Sequence, residues 1–267
     1  MTRENKWIDI GEVAKAWVVE AAQQIKQALE GTFNVEAKSN PDDLVTDVDR
    51  STERFFYEKV TSHFPKHHFL GEEGTAEKLD RLDGTVWIID PIDGTMNFVH
   101  SQYHFAISVG VFHDGVGKVG IIYDVMNDEM FYAVQGEGAY VRDTKLKTIT
   151  TSSVNESVVG VNARWLVEQR APFRGELERL VRDVRGVRSF GSAALELAYV
   201  AAGRLDGYVS LKLSPWDYAA GKVLLAEVGG TITTLQGEEL SLLEPSTLLA
   251  ANSSLHSAIV DQYIKGE

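Results

Sequence analysis

The run Trp87-Ile88-Ile89-Asp90-Pro91-Ile92-Asp93-Gly94-Thr95-Met96-Asn97-Phe98 constrains this chain more than any other segment. Its apolar start carries the backbone through a core and stops at a carboxylate. Pro91 lacks an N–H for a central ladder and is expected to end the strand. Asp93 follows Asp90 by three residues, and Gly94-Thr95 comes next. Two acids on one tight turn repel each other unless a cation sits between them. Gly94 and Thr95 add backbone N–H groups and a hydroxyl beside that cation. A metal next to an anion-binding turn suits chemistry on a phosphate. A plain strand and turn is the simpler alternative, because Asp-Gly is a common turn dipeptide.

With 267 residues the chain can form one large domain or two lobes sharing a core. We expect an N-terminal α+β lobe over 1–145 carrying the metal motifs. A C-terminal α/β lobe over 146–267 would complete the active site, the two forming one compact unit. The 26 basic and 39 acidic residues leave a net charge of −13. That field disfavours nucleic acid or anionic lipid as a partner. An anionic substrate then needs a local inversion of sign, which bound divalent cations supply. The chain has no cysteine, which removes disulfides, thiolate catalysis and Cys-ligated zinc. The polar start, Met1 to Glu12, is no signal peptide, and no window resembles a membrane span. These features fit a cytoplasmic enzyme.

Apolar residues recur at helical spacing from Trp7 to Leu29, with Gly31 as a stop. A second helix is expected from about Asp49 to His63, after a polar loop over Lys38 to Asp49. Strands are expected at Val86–Ile89, Phe105–Phe112, Gly117–Asp124, Glu129–Val134 and Gly138–Arg142, with hairpins at Gly115 and Asn127-Asp128. Further on, strands at Val158–Val161, Gly207–Leu211, Thr231–Thr234 and Leu248–Ala251 alternate with helices. Those helices are placed at Glu176–Val184, Ser192–Ala202, Pro215–Val228 and Leu255–Ile264. This alternation predicts helices layered on a mixed sheet.

Carboxylates gather at four element ends: Asp47 with Asp49, Glu72 with Glu73, Asp90 with Asp93, and Asp217. Taken singly, three of these read as structure. Asp49 suits a helix N-terminus, Glu72-Glu73 a solvated loop, and Ser214-Pro215-Trp216-Asp217 a helix cap. Taken together they supply the oxygen ligands that hard divalent ions require. Two such ions can clamp an in-line phosphoryl displacement. Other motifs are weak. Gly136-Glu137-Gly138-Ala139 lacks the third glycine of a dinucleotide loop. His100 and His104 read as core or loop histidines, and Arg182, Arg185 and Arg188 as a solvated or dimer-facing charge run.

Gly71-Glu72-Glu73-Gly74, the run Trp87 to Thr95 with Asn97-Phe98, and Trp216-Asp217-Tyr218-Ala219-Ala220-Gly221 resemble the signatures of the inositol monophosphatase family. Lys38-Ser39, Asp43-Leu44-Val45-Thr46 and Asp49 resemble its N-terminal motif, and the likeness is greatest to its Gram-positive bacterial branch. The resemblance implies an α+β fold, a five-layered αβαβα sandwich of the sugar-phosphatase type. It implies hydrolysis of a small phosphate monoester with two to three Mg²⁺ ions, in a lithium-sensitive homodimer. Glu72, Asp90 and the Ile92 carbonyl would hold one ion. Asp90, Asp93 and Asp217 would hold a second, and a weaker third would lean on Glu72. Asp49 and Thr95, with Glu72 beside them, would polarise the attacking water. Asp93, Gly94, Thr95, Gly191, Ala193, Ser210 and Asp217 would contact substrate.

The pattern departs at Ser210, where inositol-specific members carry a glutamate seven residues before the last metal-binding aspartate. The contact loop Gly160-Val161-Asn162-Ala163-Arg164 also differs from the family's usual Gly-x-Ser-Ser-Arg. We therefore expect inositol 1-phosphate as one substrate of a tolerant site. The alternatives are a fructose-1,6-bisphosphatase, an NADP or 3′-phosphoadenosine-phosphate phosphatase, and a non-catalytic protein-binding partner. Lys212 could meet a second anionic group, or be a solvated lysine.

Overall fold

A computed structural model describes residues 6–38, 44–76, 79–150, 153–168 and 171–266. Ser39 and Asp43 of the N-terminal motif lie outside the described residues. Helix α1 (Lys6–Leu29) buries Ile10, Ala14, Trp17, Val18, Ala21 and Ile25 along one stripe. The expected polar loop is in part a ribbon, β1 (Val35–Ala37) antiparallel to β2 (Leu44–Thr46). Helix α2 (Asp47–His63) starts two residues earlier than expected, because Thr46 caps it. Strands β3 (His68–Gly71) and β4 (Thr85–Asp93) pair in parallel. A short helix α3 (Thr95–His100) leads to β5 (Ala106–His113), β6 (Val116–Asp124), β7 (Glu129–Val134), β8 (Gly138–Val141) and β9 (Thr144–Lys145). These seven strands form one sheet in chain order, β3 to β9.

The rest of the chain gives β10 (Val158–Val161), α4 (Arg164–Val167), α5 (Arg174–Asp183), β11 (Gly186–Arg188), α6 (Ala193–Ala201), β12 (Gly207–Leu213), α7 (Pro215–Glu227), β13 (Gly230–Thr233), β14 (Ser246–Asn252) and α8 (Ser253–Ile259). A second, mixed sheet has the order β11-β10-β12-β14-β13. Three apolar clusters separate the layers. Trp17, Ile25 and Phe56 of α1 and α2 pack on Trp87, Ile89 and Ile121 of the large sheet. Leu197, Tyr218 and Leu224 of α6 and α7 lie between Ile88 and Ile122 on one side and Tyr208 and Ala250 on the other. Leu177 and Leu255 of α5 and α8 cover Val209 and Leu249 from outside. The layers therefore run αβαβα, as the resemblance implies.

Strand β4 is buried along its whole length and alternates between two cores. Fully buried Ile88 and Ile89 contribute about 1.5–3 kcal/mol each. Trp87 has room only on the α1/α2 side. On the other face Gly110 and Gly120 let α7 approach closely. A Cβ there would lie 2.8 Å from Ala219 Cβ and 2.5 Å from the Ala220 carbonyl. The strand therefore cannot slip by one residue, and the placement of Asp90 is fixed.

Pro91 does not end the strand, contrary to expectation. Asp90 pairs with Ser108 and Asp93 with Ala106, so Pro91 and Ile92 face only Ile107. The missing N–H of Pro91 falls inside this bulge, where no ladder bond is lost. Residues three apart on a regular strand point to opposite faces. The extra residue cancels that alternation and turns both carboxylates to one side.

Candidate active site

Three acids converge where β4 ends and α7 begins. Asp90, Asp93 and Asp217 each offer an oxygen within 4.8 Å of the others. Each has a partner that fixes its direction. Asp90 Oδ1 accepts the Ile92 N–H at 3.0 Å. Asp93 Oδ2 accepts the Ala194 N–H at 2.8 Å and the Ser192 hydroxyl. Asp217 Oδ2 accepts the Ser214 N–H at 2.8 Å, so the residue both caps α7 and joins the cluster.

Burial raises all three carboxyl pKa values, and their mutual repulsion adds to it. Asp93 is pushed up to about 6, against its bonds from Ser192 and Ala194. Asp90 and Asp217 are raised well above the ordinary carboxyl value, with Glu72 contributing to both. Without a cation, burial and mutual repulsion favour the protonated forms of these acids. A hard divalent ion removes that requirement, and the donor set here is entirely oxygen. These residues fit magnesium.

Asp49 stands at the third position of α2 and is 1% exposed. Its Oδ2 accepts the Thr46 N–H at 2.9 Å and the Thr46 hydroxyl. Its Oδ1 lies 3.1 Å from the Thr95 hydroxyl. That hydroxyl is also 3.1 Å from the Ile92 carbonyl, and its one proton serves one acceptor at a time. Burial raises the Asp49 pKa, against the bonds from Thr46 and Thr95.

Glu72 lies outside the tight triad. Its Oε1 accepts from Lys38 Nζ at 2.8 Å, and Glu73 Oε1 shares the same ammonium at 2.6 Å. Burial opposes a charge on Lys38, yet the two carboxylates hold its pKa above the ordinary lysine value. Burial also lifts Glu73 to about 7, so this pair is no solvated loop. Sequence reasoning missed Glu53. It is fully buried, with Oε2 accepting the Glu73 N–H at 2.7 Å and Oε1 the Thr75 N–H at 2.8 Å. It pins the glutamate loop to α2. The available signal was an acid on the apolar face that also carries Phe56 and Val60.

A cavity of about 180 Å³ opens beside Asp93. Of the residues expected to meet substrate, Asp93, Gly191, Ala193 and Ser210 line it. Gly94, Thr95 and Asp217 stand outside that lining. Gly94 has φ +93°, and a Cβ on it would lie 3.1 Å from the Gly191 carbonyl, so only glycine lets these two turns meet. Asn97 clips them together, donating to the His104 and Phe190 carbonyls at 2.8 and 2.7 Å. Glu196, also unforeseen, is on the cavity wall.

The oxygen-donor cluster and the paired Asp49 and Thr95 beside a polar cavity suit the hydrolysis of a phosphate ester. A profile of the inositol monophosphatase family matches residues 8–265. The inositol-1-monophosphatase of Bacillus subtilis is 52% identical over 260 residues, covering 97% of this chain and 98% of that protein. Crystal structures of staphylococcal SaIMPase-II are 39–40% identical. The form with inositol monophosphate bound superposes with a TM-score of 0.85, covering 94% of this chain and 92% of that one. The form with 2′AMP bound gives 0.89, covering 96% and 95%. The chain belongs to the inositol monophosphatase family.

Proposed function

We propose that this protein hydrolyses inositol 1-phosphate and other small sugar or nucleotide monophosphates with magnesium. The convergence of Asp90, Asp93 and Asp217 carries the reading. In it, Asp90, Asp93 and Asp217 would hold one ion, Asp90 with Glu72 and the Ile92 carbonyl would hold a second, and Glu72 would support a third. Magnesium held there supplies charge that offsets the phosphate's and lowers the pKa of water beside it. Thr95 takes a proton from the attacking water as its own passes to Asp49 Oδ1. Burial raises the Asp49 pKa, which favours it as the acceptor of that proton. Backbone N–H groups at Gly94 and Thr95 hold the phosphate.

Binding of both inositol monophosphate and 2′AMP by SaIMPase-II supports a tolerant site. Ser210, which offers a hydroxyl where a glutamate is usual, supports it too. A bisphosphatase or NADP-phosphatase reading has one observation in its favour, Lys212 on the cavity rim. The lobes 1–145 and 146–267 act as one unit in this reading, within a cytoplasmic, lithium-sensitive homodimer. Among the described residues no helix is long and apolar enough to cross a membrane.

Phosphate release from a substrate panel with Mg²⁺ tests the reading, and a protein that only binds partners would release none. Asp90→Asn should lower turnover roughly a thousandfold or more while the fold persists. Near-normal turnover in that variant defeats the bridging role. A preference of several hundredfold for inositol phosphate, roughly 3 kcal/mol, defeats breadth.

A further inference from the structure

Helix α2 carries two acids one turn apart on its buried face. Asp49 is 1% exposed and Glu53 is fully buried. Residues four apart are neighbours on a helix surface, so both side chains leave α2 on the same side. Asp49 turns to the Thr95 hydroxyl, at 3.1 Å. Glu53 turns to the backbone of the glutamate loop, its Oε2 accepting the Glu73 N–H at 2.7 Å and its Oε1 the Thr75 N–H at 2.8 Å. The sheet does not support this loop to its end. The parallel ladder between β3 and β4 stops at Gly71 and Ile89, one residue short of Glu72 on one strand and of Asp90 on the other. Past that point the Glu53 carboxylate takes the place of a neighbouring strand. Gly71 leaves the space for it, since a Cβ there would overlap Glu53 Oε2. Lys38 also reaches this loop, but through the side chains of Glu72 and Glu73. Glu53 holds the backbone itself.

We infer that Glu53 is a positioning residue for magnesium: it sets the course of the glutamate loop before any ion binds, and so fixes Glu72 relative to Asp49 and Asp90. This rests on the reading of Glu72 as an ion ligand and adds what holds that ligand in place. Groups that orient a metal ligand from behind change metal affinity by roughly ten- to a hundredfold when lost. A ligand held in advance need not be ordered by the ion, so that cost is met in folding and not in binding.

The test compares the wild-type protein with Glu53→Gln and with Val60→Ala, which trims a fully buried apolar side chain of the same helix. Hydrogen exchange of the Glu73 and Thr75 amides in chelator reads the loop. Phosphate release from myo-inositol 1-phosphate across a Mg²⁺ titration reads the ion. In the wild-type protein and in Val60→Ala both amides should exchange slowly without magnesium. Glutamine keeps one acceptor oxygen but sets an NH₂ group against the other N–H, so exchange should quicken about tenfold or more. The Mg²⁺ midpoint of Glu53→Gln should rise about tenfold, with kcat at saturating Mg²⁺ within about threefold of wild type. Val60→Ala should move that midpoint by about twofold at most. An unmoved midpoint in Glu53→Gln, a loss of kcat that saturating Mg²⁺ does not restore, or an equal shift in Val60→Ala overturns the inference. Should Glu53→Gln fail to fold, the wild-type amides decide. Equally slow exchange in chelator and in Mg²⁺ supports the inference, and fast exchange that slows only on adding Mg²⁺ overturns it. Phosphate release by the wild-type protein where these signatures fail leaves the phosphatase reading standing. No release from it ends both.

Discussion

At the start of α2 the Asp49 carboxylate takes the Thr46 N–H at 2.9 Å, and at the start of α7 the Asp217 carboxylate takes the Ser214 N–H at 2.8 Å. In each case an aspartate three residues into the helix reaches back to the residue that opens it. What differs is the other oxygen. Asp49 turns its Oδ1 to the Thr95 hydroxyl, while Asp217 brings an oxygen to Asp90 and Asp93. A cap and a chemical group are therefore not rival readings of one acid. The backbone bond clamps one oxygen and thereby aims the second. The environment that the second oxygen meets then decides its work, a lone hydroxyl in one case and other carboxylates in the other.

The largest expected effect separates the two. Asp217→Asn keeps an oxygen for the Ser214 N–H but removes a charge from the cluster. Turnover should fall roughly a thousandfold, with a weaker response to Mg²⁺. Asp49→Asn likewise keeps its cap and loses a proton acceptor. A fall of roughly a hundredfold is expected, with the Mg²⁺ requirement unchanged. Steady-state rates across a Mg²⁺ titration distinguish these outcomes. If Asp49→Asn shifts the Mg²⁺ midpoint as far as Asp217→Asn does, the two ends are not chemically distinct.

From their own sequence neighbours both acids read as helix-start acids or as members of a carboxylate inventory, because their second oxygen depends on distant chain; their chemical roles came only with the resemblance. The long elements were legible from periodicity, and the order of layers from the resemblance. Short elements were not. His68–Gly71 and Gly186–Arg188 are too brief for a period to show, and their pairing comes from β4 and β10. The segment Thr95–His100 hid inside what read as a turn. Pro91 was misread because a bulge is a relation between two strands, and one strand's residues do not display it. The Lys38 link to Glu72 and Glu73 spans more than thirty residues and leaves no local trace. Glu53 and Glu196 do leave a trace, an acid on an apolar helix face.

Stability against pH sharpens the comparison at smaller magnitude. A carboxyl whose folded pKa exceeds its unfolded value contributes stability at low pH and loses it as pH rises through the folded value. Asp93 moves from 3.8 to about 6, and Asp90 and Asp217 are raised well above the ordinary value in the same direction. Chelated protein should therefore lose stability as pH climbs from about 4 through 6 and beyond. Magnesium binds the ionised form, so the rise in Tm on adding it should be larger at pH 8 than at pH 5. Thermal scans in chelator and in Mg²⁺ measure this. Asp49→Asn should retain the pattern and Asp217→Asn should blunt it. A larger Mg²⁺ effect at pH 5 contradicts the assignment of the cluster.

The smallest effect probes the clamps themselves. The Thr46 hydroxyl accepts the Val48 and Asp49 N–H groups at 3.2 and 3.3 Å and donates to Asp49 Oδ2. Thr46→Ala should cost about 1 kcal/mol of stability. It should also lower kcat about tenfold, because Asp49 keeps the Thr46 N–H but loses the hydroxyl that steadies it. Ser214→Ala leaves the N–H that Asp217 uses, and Asp217 has the rest of its cluster to hold it. Its turnover should stay within about threefold of the parent. Chemical denaturation and kcat on the same samples test both. Equal losses of activity in the two variants would mean that neither clamp aims its acid, and that the likeness between the two helix ends is scaffolding alone.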